Sequence, residues 1–87
     1  MFNPDLKRRL KSLKIKKERL NVWNKMQEVA NTLKTNPNHY KNLHKPLQQY
    51  KRVHVNGSHV ILFRVDEENR KVIFHNYAHH DDIYEPI

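Results

Sequence analysis

Lys51-Arg52-Val53-His54-Val55-Asn56-Gly57-Ser58-His59-Val60-Ile61-Leu62-Phe63-Arg64-Val65 is the stretch whose reading decides the fold. Lys51 to Val55 alternates strictly, so Val53 and Val55 point one way and Arg52 and His54 the other, as in a half-buried strand. Asn56-Gly57 then signals a hairpin, because both residue types tolerate positive φ. His59 to Val65 is longer and almost continuously apolar, which suits the centre of a sheet. After a turn at Asp66-Glu67-Glu68-Asn69, Lys71 to Tyr77 supplies a third strand.

Towards the N-terminus the period changes from two to that of a helix. Asn3-Pro4-Asp5 reads as a helix start, with a capping Asn, a Pro at the first helical position and an acid in the first turn. Leu6, Leu10 and Leu13 follow as one apolar stripe on a basic helix. Lys14-Ile15-Lys16-Lys17 breaks the rhythm. Val22, Trp23, Met26, Val29, Ala30 and Leu33 then form a wider apolar face, with Trp23 and Met26 expected in the core. Pro37 ends the helix, since the residue before a proline is disfavoured in helical geometry. The spacing predicts antiparallel helices over about 4–15 and 18–34. Residues 36–50 read as an extended connection broken by Pro37 and Pro46, with Leu43 and Leu47 tucked under the sheet.

The expected fold is α+β: two N-terminal antiparallel helices packed on one face of a three- to four-stranded antiparallel sheet. One domain over residues 1–87 is expected, divided into a helical hairpin (1–35), a connection (36–50) and a sheet with a C-terminal motif (51–87).

Composition narrows the function classes. The 87 residues carry 17 Lys+Arg and 9 Asp+Glu, a formal charge of +8. Residues 1–52 hold 14 basic and 3 acidic side chains, whereas residues 53–87 hold 3 basic and 6 acidic ones. A basic half of this kind suits a polyanion or an acidic protein, and reads equally as helices with solvated lysine faces. Without cysteine there is neither a disulfide framework nor a thiolate metal site. No apolar run approaches the roughly 20 residues of a membrane span, so a soluble, cytoplasmic protein is expected.

Five of the seven histidines follow Tyr50: His54, His59, His75, His79 and His80. Histidine both takes and gives a proton near neutral pH, so a group of them on a basic chain points to proton-transfer chemistry on a polyanion. His79-His80-Asp81-Asp82 also carries zinc-type donors. Adjacent residues of a strand point to opposite faces, however, and no helical His-x3-His exists, so no metal site is expected.

Taken together, several segments resemble the RelE/ParE toxin superfamily of toxin–antitoxin systems, nearest its mRNA-cleaving RelE/YafQ side. They are the Leu-Lys-Arg-Arg-Leu-Lys-Ser-Leu-Lys helix at 6–14, Thr-Asn-Pro-Asn-His-Tyr-Lys-Asn-Leu at 35–43 and Tyr-Lys-Arg-Val-His-Val at 50–55. His-Val-Ile-Leu-Phe-Arg-Val-Asp-Glu at 59–67 and Ala-His-His-Asp-Asp-Ile-Tyr at 78–84 complete the set. The family usually opens on a strand before the first helix; here only Met1-Phe2-Asn3 precedes it, leaving that strand missing or very short.

The resemblance implies an endoribonuclease that cuts messenger RNA, commonly in the ribosomal A site, and that a cognate antitoxin neutralises. It maps the family's basic first-strand positions onto Arg52 and His54, its central-strand arginine onto His59, its closing-motif cation onto His80 and its final tyrosine onto Tyr84. Two arginine positions thus carry histidine, which leaves less fixed positive charge.

Metal-free cleavage by the 2′-hydroxyl needs a base, an acid and cations for the phosphorane. His80 is the expected acid or base, with His54 or His59 as counterpart and Tyr84 stacking on a base or orienting the scissile group. Lys51, Arg52, Arg64 and His79 are the expected RNA contacts, and neither metal nor small-molecule cofactor is implied. Plainer readings stand beside these. His59 reads as a strand-edge side chain, His75, His79, Asp81 and Asp82 as structure or solvated surface, and Arg64 as the partner of an acid such as Glu67. Two rival functions also remain: a ParE-like inhibitor of DNA gyrase without RNase activity, and a non-catalytic basic nucleic-acid-binding module.

Overall fold

The computed structural model describes residues 4–45 and 47–82, with the backbone alone at Pro4 and Asp5. The expected Asn3 cap, the family's opening strand, Pro46 and Tyr84 lie outside the described residues. Within them the order is α1 (Pro4–Ser12), α2 (Lys16–Thr35), β1 (Lys51–Val55), β2 (His59–Asp66) and β3 (Lys71–His79). The strands form one antiparallel sheet in the order β1-β2-β3. This is the α+β arrangement expected, with three strands among the described residues.

Each helix boundary has a local cause. Helix α1 stops at Ser12, whose hydroxyl donates to the Arg9 carbonyl at 2.6 Å. Leu13 to Ile15 then turn the chain, and the Arg19 guanidinium donates to the Leu13 carbonyl at 2.8 Å. The first helix is therefore three residues shorter than its leucine spacing implied. Helix α2 runs to Thr35, where the Asn36 N–H still reaches the Thr32 carbonyl at 2.8 Å before Pro37 ends the ladder.

Sheet alternation sorts the core into two sides. Val55, Ile61, Phe63, Phe74 and Tyr77 meet Leu6 of α1 and Val22, Met26 and Val29 of α2. Val60, Leu62 and Ala78 form a smaller cluster on the other face, covered in part by Leu43 and Tyr50. Leu43 thus tucks against the sheet as expected. Trp23 does not join the core: it is 50% exposed, whereas Met26 is 2% exposed. Val22, Met26 and Val29 at spacings of four and three make the buried row, and Trp23 lies about 100° round the helix from Val22.

Two details of the sheet, its hairpin tip and a bulge, fix the placement of β3. Asn56 and Gly57 have φ of 51° and 72°, so the Asn-Gly pair makes the hairpin tip as its chemistry demands. The Asn56 amide also donates to the Glu18 carbonyl at 3.1 Å and the Tyr77 hydroxyl at 3.0 Å, while accepting from Asn21 at 2.9 Å. One side chain thereby ties the hairpin, α2 and β3 together. In β3, Leu62 pairs with Asn76 and Phe63 with Phe74, so His75 is an extra residue that bulges the strand. Helix α1 lies against β3 and α2 against β1.

Candidate functional site

Strand β3 ends at His79, and the chain turns at once: the Asp82 N–H donates to the His79 carbonyl and the His80 N–H to the Ser58 carbonyl, both at 2.9 Å. The turn removes the alternation that a continuing strand would impose on neighbouring side chains. His79 and His80 accordingly lie side by side, ring centroids 4.5 Å apart. His59, paired with His79 across the sheet, stacks on Tyr77 at 5.1 Å and meets the His79 ring edge-on at 5.7 Å.

Asp81 organises this group. Its carboxylate lies 2.8 Å from His80 Nδ1, and because a carboxylate can only accept, the hydrogen sits on Nδ1. In the neutral form of the ring, Nε2 then carries the bare lone pair that a general base requires. His79 Nδ1 has two neighbours on the same residue: the Asp81 N–H at 3.2 Å and a carboxylate oxygen at 3.5 Å. The shorter, directed contact decides, so His79 Nδ1 accepts and its hydrogen lies on Nε2. His59 Nδ1 is buried with no hydrogen-bond partner among the described residues.

An open cleft of about 930 Å³ runs along this end of β3. Arg8, Arg9 and Ser12 of α1 form one wall, and His59, His75 and His79 line the other. The Arg9 guanidinium donates to the Tyr77 carbonyl at 3.1 Å, so the helix presents its cations directly beside the histidines. Burial is the main cause that holds the His75 pKa below its ordinary 6.5, with the nearby Arg64 charge adding to it.

The expected site residues are thus divided. The structure brings His59, His79 and His80 together. Arg52 and His54 sit on β1 opposite Leu62 and Val60, two strands from β3 and so roughly 10 Å away at a strand spacing of about 4.8 Å. His54 instead borders a shallow groove with Asn21, Lys25 and Glu28 of α2. Lys51 is already engaged: its ammonium donates to the Tyr40 carbonyl at 2.8 Å and to Asn42 Oδ1 at 2.5 Å, fastening the connection to β1. Arg64 lies close enough to both Asp66 and His75 to bias their protonation, and Asp66 is held below its ordinary value chiefly by the Asn69 side chain. Asp81, Arg8 and Arg9 were not among the expected site residues. An acid directly after two histidines and an Arg-Arg pair were the available signals.

No protein-family model matches the chain. A Methanocaldococcus jannaschii protein bearing the name "Putative toxin RelE4" is 48% identical over 69 residues, spanning 79% of this chain and 69% of that protein. The chain belongs to the RelE toxin family. A second relative, an uncharacterized protein of Methanosarcina mazei, is 46% identical over 55 residues, or 63% of this chain and 64% of its own length. The RelE fold is matched independently by a crystal structure of the RelB–RelE antitoxin–toxin complex from Methanococcus jannaschii. That match has a TM-score of 0.68 at 24% identity and covers 97% of this chain and 94% of the other.

Proposed function

We propose that this RelE-family chain is the toxin of a toxin–antitoxin pair and acts as an endoribonuclease on messenger RNA. The observation that carries the chemistry is the 2.8 Å contact between His80 Nδ1 and Asp81, next to His79, which with His59 lines the cleft walled by Arg8 and Arg9. In the reaction, the bare His80 Nε2 takes the proton of a ribose 2′-hydroxyl. The 2′-oxygen forms a bond to the adjacent phosphorus, and the bond from phosphorus to the 5′-oxygen of the next nucleotide breaks. The leaving oxygen takes up a proton, for which His59, edge-on to His79, is the candidate acid, and the products are a 2′,3′-cyclic phosphate and a 5′-hydroxyl. Arginine charge on the α1 wall offsets the phosphorane charge.

The partner on this reading is an acidic antitoxin, for which the basic N-terminal half supplies the complementary charge. The test is a defined mRNA incubated with purified protein, with and without programmed ribosomes, followed by mapping of new 5′ ends. Discrete cuts only on ribosomes, lost in His80→Ala, are expected. Cuts in naked RNA would retain the nuclease and remove the ribosome from the account. No cuts from a folded protein in either reaction would sink the nuclease reading and favour gyrase as the target.

A further inference from the structure

The turn at the end of β3 gathers a donor set that a continuing strand would have scattered. His79, His80 and Asp81 each present one ligand atom within 4.8 Å of the others. Two of the approaches run through Asp81, whose two carboxylate oxygens lie 2.8 Å from His80 Nδ1 and 3.5 Å from His79 Nδ1. Around a tetrahedral zinc ion with bonds of about 2.0–2.2 Å, ligand atoms lie roughly 3.3 Å apart, so side-chain rotation that opens the His80–Asp81 pair slightly and draws the rest of the set in from within 4.8 Å reaches coordinating distance. Side-chain exposures of 39%, 45% and 74% leave all three free to make that adjustment and open to an ion from solvent. His79 already offers its Nδ1 lone pair, since that atom accepts from the Asp81 N–H.

We propose that His79, His80 and Asp81 form a binding site for a divalent transition-metal ion, and that occupancy switches off His80 as a base. The donor set of two imidazoles and one carboxylate selects ions of the zinc, cobalt, nickel and copper group over magnesium or calcium, which prefer all-oxygen sites. Three side-chain ligands leave a fourth position to solvent. The switching follows from the tautomer. An ion on His80 Nδ1 takes the place of the hydrogen shared with Asp81, and the neutral ring then carries its hydrogen on Nε2. The lone pair that would accept the 2′-hydroxyl proton is consumed, with no net gain or loss of protons by the ring. Ion binding itself is independent of the nuclease reading; only the switching rests on it.

The test uses the full chain without a histidine tag. Zinc binding is followed by calorimetry, and Co2+ is used as a spectroscopic probe whose visible absorption reports coordination. His79→Ala and Asp81→Asn are compared with His39→Ala, a histidine on the connection far from this turn. One equivalent of zinc in the wild type, weakened more than about tenfold in both ligand variants and unchanged in His39→Ala, is the expected result. Equal binding by all four proteins, or no uptake by the wild type, would overturn the site. In the RNA assay, the ratio of cleavage rates with and without zinc falls well below one for the wild type, recovers on chelation, and stays near one for His79→Ala. An unchanged ratio in a wild type that binds the ion overturns the switch alone. Binding without any RNA cleavage in ion-free buffer overturns the nuclease reading and leaves the site standing.

Discussion

The two outer strands of the sheet use the same residue types to opposite ends. Strand β1 holds Arg52 and His54 in plain alternation, with Val53 and Val55 turned to the helices, and Lys51 spends its charge on fastening Tyr40 and Asn42. Strand β3 interrupts its alternation twice, with the bulge at His75 and the turn after His79. Only the irregular strand assembles a cluster. A regular strand distributes successive side chains over two faces, so bringing three histidines and an acid together requires leaving the strand conformation.

Substitutions put the contrast between β1 and β3 to the test. The largest effect is expected from His80→Ala, which should lower cleavage of a defined mRNA by about 10²–10⁴-fold, the usual contribution of acid–base catalysis. His54→Ala should cost much less in the same assay; equal losses would mean that β1 and β3 act as one site. Asn56→Ala tests the mooring of β3 rather than its chemistry. Three hydrogen bonds at about 1 kcal/mol each predict a loss of roughly 2–3 kcal/mol in denaturant unfolding, provided relaxation does not replace them.

Asp81→Asn removes the carboxylate that fixes the His80 tautomer and is expected to slow cleavage about tenfold, the scale of one charge-assisted hydrogen bond. A KM effect with kcat intact would assign Asp81 to RNA binding instead. The smallest effect concerns His75, whose pKa is lowered by burial. Between its folded value and the ordinary 6.5 the unfolded chain binds more protons, so this residue's stabilisation is full above 6.5 and declines as pH falls below it. His75→Gln should flatten that slope in thermal melts taken from pH 7 towards pH 5.

Much of this fold was legible because its rules are local. The Asn-Gly tip, the alternation at 51–55 and the stop at Pro37 each depend on one or two residues and their backbone preferences. The position of Trp23 was not legible, since an apolar residue on the flank of a helix reads like one on its buried face until a neighbour covers it or fails to. The grouping of His79, His80 and Asp81 escaped for a related reason. The pattern marks where a strand is, and only tertiary hydrogen bonds, such as that from His80 to Ser58, fix where it stops. Asn56 was read as turn chemistry alone, although its amide also links three elements.

The main chain of Tyr77 bears on association as well. Its N–H is taken by Asn76 Oδ1 at 2.9 Å and its carbonyl by Arg9 at 3.1 Å, so both groups are served by side chains. A bare strand edge invites any extended peptide to continue the sheet, which is a common route to self-association. Here a newcomer along β3 would first have to evict a guanidinium and an amide. Arg9 thus obstructs strand addition at this point of the edge, and Arg9→Ala is expected to self-associate more readily than the wild type in light scattering.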